Sequence, residues 1–595
     1  MIITGDIETR GLDAREFILG CLYINSKKQE YFTRKEDMWN RIIELGIIEA
    51  KKKRVLTIYF HNCQFDFYGI ANLEDKNIWY HSLKPFIATY RINEKIIIKF
   101  LDSLGIFKMN LKELGDIIGK PKLETPDKFI KGLREQKIIE EDKMYIKRDS
   151  EIVYNAIYML KGLLKEKGIK IRGLYTTSQI AINWFMNKLR EDKENDKLFM
   201  DKNKRILWKT KYSNQIHETY RGGRVDCFKT GKFKNASYID ANNLYGYASM
   251  NIPFPDLRTE HFEYNPLRNK NLGEILGKIG ICKVLIKNEN NKLGLLPIRT
   301  DTGNYYPRKG CYLIGIWTTL ELKEAVKEGY IIKSMEWGIF WEKRENPYKK
   351  ITKELYELRL NSKNSFEKTF YKDMMNYSYG KLAQNRETWE MIIESVELAE
   401  EYMKRNWKAI KGIGKENYLY VRKNKEKERN YYCPIIPTLI NAFARIYMYQ
   451  QMKEFKYEDL LYHDTDSIMF QGSIPQKVKI SNQIGEFKEV NKNNQAIIYG
   501  RKTYAIGDEI KIAGFKKRDI NINIFEKGEV TNMRMETLKT TKDLKKVGGF
   551  REEKRDLKED NKKYIRVRGI LDKGKVFKDS TLKNINYFIE ELKGV

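Results

Sequence analysis

The residues best suited to chemistry are two aspartates, Asp464 and Asp466, at the centre of residues 460–470. The residues on either side are mostly apolar, which predicts two short strands joined by a tight turn that carries both acids. Like charges this close repel each other unless a cation lies between them. Carboxylate oxygens are hard ligands, and they favour Mg²⁺ or Mn²⁺. The turn is therefore a candidate metal site, although an aspartate-rich turn capped by Thr465 and Ser467 would give the same pattern.

A third acid follows a distant apolar run. Residues 236–240 read Ala-Ser-Tyr-Ile-Asp, and Leu244 and Tyr245 come shortly after them. A strand that ends at Asp240 could bring this carboxylate beside the acids of the turn. Three carboxylates could then bind two metal ions, which stabilise the attacking and leaving oxygens of a phosphoryl transfer. A buried strand that ends in a solvated aspartate is the alternative.

A third segment supplies the complementary charge. Residues 361–382 contain no proline and are predicted to form a helix. Side chains spaced by four, four and three positions lie on one face of this helix: Lys368, Lys372, Asn376 and Tyr379. Two ammonium groups, an amide and a phenol in a row suit a triphosphate, a sugar and a base. An exposed basic stripe without a ligand remains the alternative in a lysine-rich chain.

These three segments, in this order, resemble motifs A, B and C of the family B DNA polymerases. Residues 240–245 are similar to the Asp-x-x-Ser-Leu-Tyr-Pro motif, residues 372–380 to Lys-x-x-x-Asn-Ser-x-Tyr-Gly, and residues 462–467 to Tyr-x-Asp-Thr-Asp-Ser. Residues 501–504 match the Lys-x-Tyr element that holds the primer terminus in this family. The chain departs from the motifs at positions that are not metal ligands: Asn243 and Tyr377, where the family has serine, and Gly246, where it has proline.

The resemblance implies a role for each matching residue. Asp240 and Asp466 would be the principal metal ligands, with Asp464 in support. The nucleotide would be held at its triphosphate, sugar and base by Lys372, Tyr245 and Tyr379, and Tyr245 would exclude a 2′-hydroxyl. Further nucleotide contacts would be Leu244, Lys368, Asn376 and Gly380. Contacts to the primer and the rest of the DNA would be Lys502, Thr503, Tyr504 and Arg445.

A second set of acids lies near the N-terminus. Asp6 and Glu8 alternate along an apolar run, so strand periodicity puts them on one face. Asp66 follows another apolar run, and Tyr145 and Asp149 are spaced by four on a predicted helix. This ordered set resembles the 3′–5′ proofreading exonuclease of the same polymerases. In that fold the four acids would hold two metal ions, and the tyrosine would orient the attacking water.

Three further features resemble the protein-primed members of the family. Residues 220–223, Tyr-Arg-Gly-Gly, are similar to the linker between their exonuclease and polymerase domains. Two stretches without a catalytic motif, at about residues 251–341 and 383–432, match the positions of their two insertions. The DNA contacts implied here are Tyr220, Gly222 and Gly223 in the linker, and His61, Asn62, Phe65, Ser103 and Leu104 in single-strand-binding elements.

The expected architecture is a multidomain chain of α/β and α+β type. A ribonuclease-H-like exonuclease domain, a sheet flanked by helices, would occupy residues 1–180, and a palm, fingers and thumb polymerase residues 181–595. The palm would carry its motifs at 236–250 and 460–470. The other parts would be a first insertion at about 251–341, fingers at about 342–382, a second insertion at about 383–432 and a thumb at about 517–595.

Composition agrees with a nucleic-acid enzyme. The net charge of +31 attracts polyanions, although a basic protein with a solvated lysine coat would share it. The chain has no apolar run of about 18 residues that would suggest a membrane span. No signal peptide precedes the first strand, and the six cysteines form no Cys-x-x-Cys pair. We expect no membrane partner, a monomer, and a reducing compartment such as the host cytoplasm of a phage or mobile element.

The function that follows is a DNA-directed DNA polymerase with a 3′–5′ exonuclease. Mg²⁺ or Mn²⁺, two ions at each active site, would be its cofactor, and its partners would be template and primer DNA and deoxynucleoside triphosphates. A terminal protein would serve as primer, and the non-template strand would be displaced. The alternatives are a family B polymerase that starts without a protein primer and a catalytically silent DNA-binding scaffold. Clustered carboxylates beside a polyanion argue against the scaffold.

The second insertion generates the first testable prediction. In protein-primed polymerases this insertion helps to enclose the DNA, and residues 423–429 are a short charged stretch typical of a surface tip. Deletion of roughly residues 417–430 should spare addition of a few nucleotides but shorten products on long templates and weaken strand displacement. The defect should grow with salt, because lost phosphate contacts cannot compete with counterions. Equal product lengths for deletion and parent, at low and high salt under single-binding conditions, would instead indicate a loop without a role.

Overall fold

The computed structural model describes both groups of acids and most of the chain around them. The described residues are 1–10, 16–72, 75, 77–83, 85–131, 137–171, 173–191, 210, 212–289, 291–300, 303–384, 389–404, 407–413, 417–423, 432–513, 522–535, 550–559 and 576–579. The predicted charged tip at 423–429 lies outside the described residues after Lys423, and so does much of the predicted thumb.

The first sheet has seven strands with a parallel centre. In spatial order they are Lys28–Phe32, Phe17–Asn25, Ile2–Thr9, Leu56–Phe60, Ile97–Asp102, Phe86–Arg91 and Ile78–Leu83. Its helices are Lys35–Lys51, Cys63–Ile70, Leu104–Phe107, Leu111–Ile117, Asp127–Lys131 and Glu140–Glu166. Neighbouring side chains of one strand enter different cores: Ile58 lies in the cluster with the first of these helices, and Tyr59 in the cluster with the last. Both faces of the sheet are therefore buried, as expected for its parallel centre.

The second sheet also has seven strands, and all its neighbours are antiparallel. Their order is Glu509–Ile512, Thr503–Ile506, Phe487–Gly500, Gly231–Ala241, Ser467–Gln471, Leu460–Asp464 and Val225–Cys227. The predicted hairpin at 460–470 is confirmed, since its two strands pair directly and turn at Thr465 with φ of 66°. The predicted strand that ends near Asp240 is confirmed as the central strand of this sheet.

A third sheet joins two distant parts of the chain. Its order is His261–Tyr264, Tyr330–Trp341, Ile279–Asn288, Cys311–Thr318 and Val576–Lys578, and the last strand runs parallel to its neighbour. Residues 576–578 thus lie with the segment predicted as the first insertion. The smaller sheets are Phe254–Pro255 with Lys343–Arg344, Ile298–Thr300 with Gly303–Tyr305, Glu529–Met535 with Phe550–Asp556, and Trp389–Ser395, Asn417–Lys423 and Lys408–Ile413 together.

Most of the remaining helices contribute side chains to one core that also contains residues of the second and third sheets. They are Thr177–Glu191, Ser213–Thr219, Leu244–Asn251, Leu272–Gly277, Thr319–Lys327, Tyr348–Leu360, Ser365–Gly380, Ala399–Lys404, Ile435–Lys453 and Ile522–Lys527. Short 3₁₀ turns cover Leu257–Thr259, Pro266–Arg268, Lys381–Ala383, Val396–Leu398 and Tyr457–Asp459. Thr177–Glu191 packs against Ser365–Gly380, with the rings of Trp184 and Tyr371 6.1 Å apart, so it crosses the predicted domain boundary at residue 180.

The helix predicted over 361–382 is confirmed, with a later start. The side chain of Asn364 accepts a hydrogen bond from the backbone N–H of Glu367 and fixes the first turn at Ser365. The mixed α and β content fits the expected fold class. Across the described ranges, no helix combines the length and the apolar character that crossing a membrane requires.

Candidate active sites

Asp240 and Asp466 lie side by side at one end of the second sheet. Ser467 is opposite Asp240 in the register of Gly231–Ala241 with Ser467–Gln471. The backbone N–H of Ala241 donates to the carbonyl oxygen of Asp466 over 2.7 Å, which ties the turn to the end of the central strand. The sheet therefore brings together two of the three carboxylates that the sequence predicts for one site.

Charge around this pair favours a cation. The pKa of Asp466 is raised to about 6, first by burial and then by the Asp240 carboxylate, while Lys372 opposes the shift. The ammonium group of Lys488 lies 2.9 Å from Asp240 Oδ2, an ion pair that no motif in the sequence indicated. The two acids are partly buried, lie close together and are near lysines. Their carboxylate oxygens are the kind of ligand that Mg²⁺ and Mn²⁺ prefer.

Asp464, the predicted supporting acid, lies close enough to Asp466 to raise the pKa of that carboxyl, but its own carboxylate contacts lysines. It is buried at 3% exposure, and its carboxylate forms ion pairs with Lys502 and, at 3.7 Å, with Lys511. The Thr465 hydroxyl donates to the same carboxylate over 3.2 Å. Asp464 is the last residue of its strand and pairs with lysines, whereas Asp466 lies in the turn that follows.

The Ser365–Gly380 helix presents its basic residues beside the two acids. Lys368 and Lys372 are exposed, and Lys372 is near enough to Asp466 to affect the pKa of that carboxyl. Asn376 is half-buried, and its Oδ1 atom is buried without a hydrogen-bond partner. The ring of Tyr379 is buried and packs 5.6 Å from the ring of Tyr245, tilted by 31°. The predicted row of side chains therefore borders the acids, with its aromatic end buried.

Leu244 and Gly380, two further predicted nucleotide contacts, differ in burial. Leu244 is a core residue at 2% exposure and opens the Leu244–Asn251 helix, so only its backbone is available to a ligand. Gly380 is the last residue of its helix and is half-buried. Among the other predicted nucleotide contacts, Lys368 and Lys372 are exposed, and Asn376 and Tyr245 are half-buried.

Gly223 packs against both the turn and Tyr245. A Cβ atom at this position would lie 2.7 Å from Cγ2 of Thr465 and 2.8 Å from the hydroxyl oxygen of Tyr245. Either distance is far below an ordinary contact, so only glycine fits here. Gly222 is exposed beside it, and Tyr220 is half-buried. The Tyr-Arg-Gly-Gly segment, predicted as a linker, therefore packs against Tyr245 and against the turn that carries Asp466.

Arg445 is buried, which corrects its expected contact with DNA. It is 3% exposed and pairs with Glu321 over 2.7 Å. It also donates to the backbone carbonyls of Arg221 and Gly222 over 2.7 and 2.9 Å. All of these contacts engage the guanidinium group, so Arg445 holds the linker residues Arg221 and Gly222 in place.

Tyr504 is also buried, with no surface left for the primer. Its hydroxyl lies 2.9 Å from that of Tyr238, and its ring packs 4.8 Å from the ring of Tyr462. Thr503 is buried at 5% exposure, whereas the Lys502 side chain is 46% exposed. Of these three side chains, that of Lys502 is the exposed one, and Tyr504 packs against Tyr462 on the strand that carries Asp464.

The acids near the N-terminus gather between the first sheet and a helix. Carboxylate oxygens of Asp6, Glu8 and Asp149 lie within 4.8 Å of one another. In the described part of the chain this is the one group of three or more potential metal ligands at such distances. Asp66 lies alongside on the Cys63–Ile70 helix, where it accepts a hydrogen bond from the backbone N–H of Ile7 over 3.1 Å.

Burial and mutual repulsion raise the pKa values of this cluster. The pKa of Glu8 is raised to about 8, first by burial and then by Asp149. The pKa of Asp6 is raised well above its usual range by burial, and next by Asp149, Asp66 and Glu8. Asp149 Oδ1 is buried without a hydrogen-bond partner. Unpaired acid oxygens at this spacing fit a divalent cation, which would remove the repulsion.

Lys122 is a site residue that the sequence analysis missed. Its ammonium group contacts the Asp149 carboxylate and donates to the hydroxyl of Tyr145 over 3.0 Å. The Thr125 hydroxyl lies 2.9 Å from the same oxygen of Tyr145, whose ring is buried. Lys122 lies in a loop outside every motif, so spacing gave no signal for it. It places a positive charge and an ordered phenol at the edge of the acid cluster.

The predicted single-strand-binding residues also come together. His61 bonds through its ring nitrogens to the Ser103 hydroxyl at 2.9 Å and the Met109 carbonyl at 3.0 Å, and burial lowers its pKa to about 4. Asp102, which the sequence analysis did not single out, accepts the backbone N–H groups of Asn62 and Leu104 over 2.9 Å each. Phe65 is half-buried on the following helix. One buried carboxylate thus joins two segments that are distant in sequence.

Comparison with known proteins agrees with these arrangements. Residues 118–458 match the family model of type B DNA polymerases, organellar and viral. The chain is similar to a primer-independent DNA polymerase PolB of Escherichia coli, with 25% identity over 412 residues that cover 58% of this chain and 46% of the relative. It is also similar to a DNA-directed DNA polymerase of Enterobacteria phage PRD1, with 26% identity over 319 residues, 51% of this chain and 52% of the relative. The chain spans about half the length of these curated relatives.

The fold is shared with a solved polymerase. Phi29 DNA polymerase, in a ternary complex with primer-template DNA and incoming nucleotide, matches with a TM-score of 0.67 and 18% identity. The match covers 93% of this chain and 98% of that chain. A binary complex of the same polymerase with primer-template DNA gives a TM-score of 0.68. At this level of identity the likeness shows the common fold.

The N-terminal acids generate a prediction about protons. Because the pKa of Glu8 is raised to about 8, its carboxyl is mostly protonated near pH 7, and a metal ion must displace that proton. Calorimetric titration with Mn²⁺ in buffers of different ionisation enthalpy should show proton release near pH 7 that decreases towards pH 9, as Glu8 ionises before the metal binds. Glu8→Gln should remove most of this difference. Proton release that is the same at both pH values would contradict the assigned cluster.

Proposed function

Since the chain belongs to the type B DNA polymerases of the organellar and viral kind, we propose that it is a DNA-directed DNA polymerase that extends a primer on a DNA template. The observation that carries this proposal is the Asp240 and Asp466 pair with Lys372 facing it from the Ser365–Gly380 helix. Transfer of a nucleotidyl group requires paired acids that bind metal ions and basic side chains that face them.

In the proposed reaction, each side chain has a defined task. Asp240 and Asp466 would hold two Mg²⁺ or Mn²⁺ ions, which supply charge stabilisation to the attacking and leaving oxygens. Lys372 and Lys368 neutralise the triphosphate of the incoming deoxynucleotide. Tyr245 packs against the sugar and leaves no room for a 2′-hydroxyl. The 3′-hydroxyl of the primer attacks the α-phosphate, a new phosphodiester bond forms, and pyrophosphate leaves.

Lys502 completes the site from the primer side. Its ammonium group is paired with the buried Asp464 carboxylate and remains partly exposed. A fixed positive charge at the edge of the acid pair suits the last phosphate of the primer strand. Asp464 then acts by orienting this lysine rather than by direct ligation of a metal ion.

We further propose that the first sheet carries a 3′–5′ exonuclease. Asp6, Glu8 and Asp149 would hold divalent ions, with Asp66 beside them. The hydroxyl of Tyr145, ordered by Lys122 and Thr125, would orient the attacking water. His61, Asn62, Phe65, Ser103 and Leu104 would guide a single strand to these acids. In this assignment the first sheet and its helices form the exonuclease domain, and the second sheet is the palm of the polymerase.

Initiation from a terminal protein is our proposal for how replication starts, with displacement of the non-template strand. The two stretches at the predicted insertion positions and the Tyr-Arg-Gly-Gly linker support it. The second candidate is initiation without a protein primer, which the similarity to a primer-independent polymerase favours. Incubation with template and nucleotides, with and without a candidate terminal protein, separates the two. A product covalently attached to that protein supports the first, and a free product of equal yield in its absence supports the second.

Loss of either palm acid should stop polymerisation. Asp240→Asn and Asp466→Asn remove the charge that holds the metal ions, and losses of about a thousandfold or more in primer extension are expected. Digestion of a single strand should stay largely intact, because its acids lie on the other sheet. Asp459→Asn, at a half-buried acid just before the hairpin, is the matched control and should extend normally. Normal primer extension by either variant would contradict the assignment of Asp240 and Asp466 as metal ligands.

Loss of the N-terminal acids should have the opposite effect. Asp6→Ala with Glu8→Ala should abolish 3′–5′ degradation of a labelled single strand and spare nucleotide addition, since the carboxylates that bind the ions are gone. Asp66→Ala and Asp149→Ala should act alike. Persistent digestion in metal-replete buffer would show that the cluster is not a nuclease site.

Replacement of Tyr245 should change sugar choice. Tyr245→Val removes the ring that packs between Gly223 and Tyr379 and leaves space for a 2′-hydroxyl. Incorporation of ribonucleotides relative to deoxyribonucleotides should rise, and competition assays with both nucleotides measure the ratio. An unchanged ratio would assign Tyr245 to the core alone.

A further inference from the structure

The linker at residues 220–223 is held by side chains from several distant parts of the chain. Asn441 donates its side-chain amide to the carbonyl of Arg221 over 2.9 Å. Arg445 donates to the same carbonyl and to that of Gly222. The guanidinium of Arg299 donates to the carbonyl of Tyr220 over 2.5 Å. A loop of four residues with this many fixed carbonyls has little freedom to move.

The last described residue, Asp579, anchors the same linker through its side chain. It is 1% exposed, and its Oδ2 atom accepts hydrogen bonds from Arg221 over 2.5 Å and from the backbone N–H of Arg299 over 3.2 Å. The side chain of Arg221 is also 1% exposed and donates to the Ile316 carbonyl over 2.7 Å. Two buried charges satisfied in this way are strongly coupled, because either one alone would be left uncompensated.

The strand before Asp579 fixes its position. Val576–Lys578 pairs in parallel with Cys311–Thr318, and the backbone N–H of Asp579 donates to the Ile314 carbonyl over 3.0 Å. The ring of Phe577 is buried and packs 5.6 Å from the ring of Tyr305. The carboxylate therefore reaches Arg221 from a rigid sheet rather than from a loose end.

We propose that Asp579 is a positioning residue of the nucleotide site. Through Arg221 it holds Gly223 against Tyr245 and Thr465, so the third sheet sets the position of the tyrosine that selects the sugar. The inference rests on the proposed polymerase function. Gly223 and the Tyr245 hydroxyl are packed so closely that not even a Cβ atom would fit between them. A shift of Gly223 by a few tenths of an ångström therefore changes the space around this hydroxyl.

The test compares two substitutions in the same strand of the full chain. Asp579→Asn keeps the size of the side chain but removes the charge that pairs with Arg221. Val576→Thr, at a position that is 46% exposed, is the matched control. The quantities to be measured are kcat and KM for single nucleotide addition, the ratio of deoxyribonucleotide to ribonucleotide incorporation, the rate of single-strand digestion, and the temperature of thermal unfolding.

The expected result is specific to the nucleotide site. Asp579→Asn should lower kcat for addition by about ten- to a hundredfold and lower the sugar ratio, as small displacements of positioned groups do. Single-strand digestion should stay within about twofold, and Val576→Thr should match the parent in every measurement. The sugar ratio is a property of each active molecule, so a smaller folded fraction does not change it. A lower unfolding temperature with an unchanged ratio would therefore overturn the proposal.

A second variant keeps the test decisive if Asp579→Asn does not fold. Arg221→Lys retains the buried positive charge but cannot contact Asp579 and the Ile316 carbonyl together with a planar fork. It should also lower the sugar ratio, and a ratio equal to that of the parent would contradict the proposal. Failure of Asp240→Asn to stop extension would reject the polymerase function itself. Loss of extension in Asp240→Asn with a normal ratio in Asp579→Asn and Arg221→Lys would reject only the role of Asp579.

Discussion

Crowded carboxylates in buried positions are the constraint on which both candidate sites depend. Burial disfavours ionised acids, and neighbouring acids disfavour one another, so the charged form of each cluster needs a cation. At the N-terminal cluster, burial and the neighbouring acids raise the pKa values of Asp6 and Glu8. One oxygen of Asp149 is buried there without a hydrogen-bond partner. At the second sheet, lysines supply part of the missing charge. The rest is the charge of the metal ions that the proposed chemistry uses.

The two sheets meet this constraint by different means. In the first sheet, strand alternation sets Asp6 and Glu8 on one face, and the long Glu140–Glu166 helix adds Asp149 from above. In the second, pairing between Gly231–Ala241 and Ser467–Gln471 aligns acids from distant segments. Asp6, Glu8 and Asp240 stand on strands and Asp149 on a helix, and the turn that carries Asp466 is tied to the central strand by the N–H of Ala241. The surplus of +31 in net charge then offsets the repulsion that acids would exert on a DNA backbone.

Sequence spacing was informative where one element positions a residue. The hairpin with Asp464 and Asp466, the pair Asp6 and Glu8, and the helix with Lys368 and Lys372 could all be predicted from periodicity and turn chemistry. Lys122, Lys488 and Asp579 could not, because tertiary contacts alone bring them to the sites. Their segments have no distinctive pattern.

Burial explains why some residues that were expected to contact DNA do not face solvent. The family resemblance implied that Arg445 and Tyr504 contact DNA, yet both side chains lie under the surface and their polar atoms bond to other residues. Spacing does not show whether a charged side chain faces solvent or a buried partner such as Glu321. The family resemblance pointed to these segments, and the structure shows which of their side chains are exposed and which are buried.

The most direct test of the central claim is the anomalous scattering of Mn²⁺ in crystals of the protein with primer-template DNA and a non-hydrolysable nucleotide. The account predicts peaks at two places, one among Asp6, Glu8 and Asp149 and one between Asp240 and Asp466. In crystals of Asp240→Asn the second peak should weaken strongly while the first remains. Ordered DNA and nucleotide with no Mn²⁺ at either group of acids, or with Mn²⁺ bound elsewhere, would contradict the account.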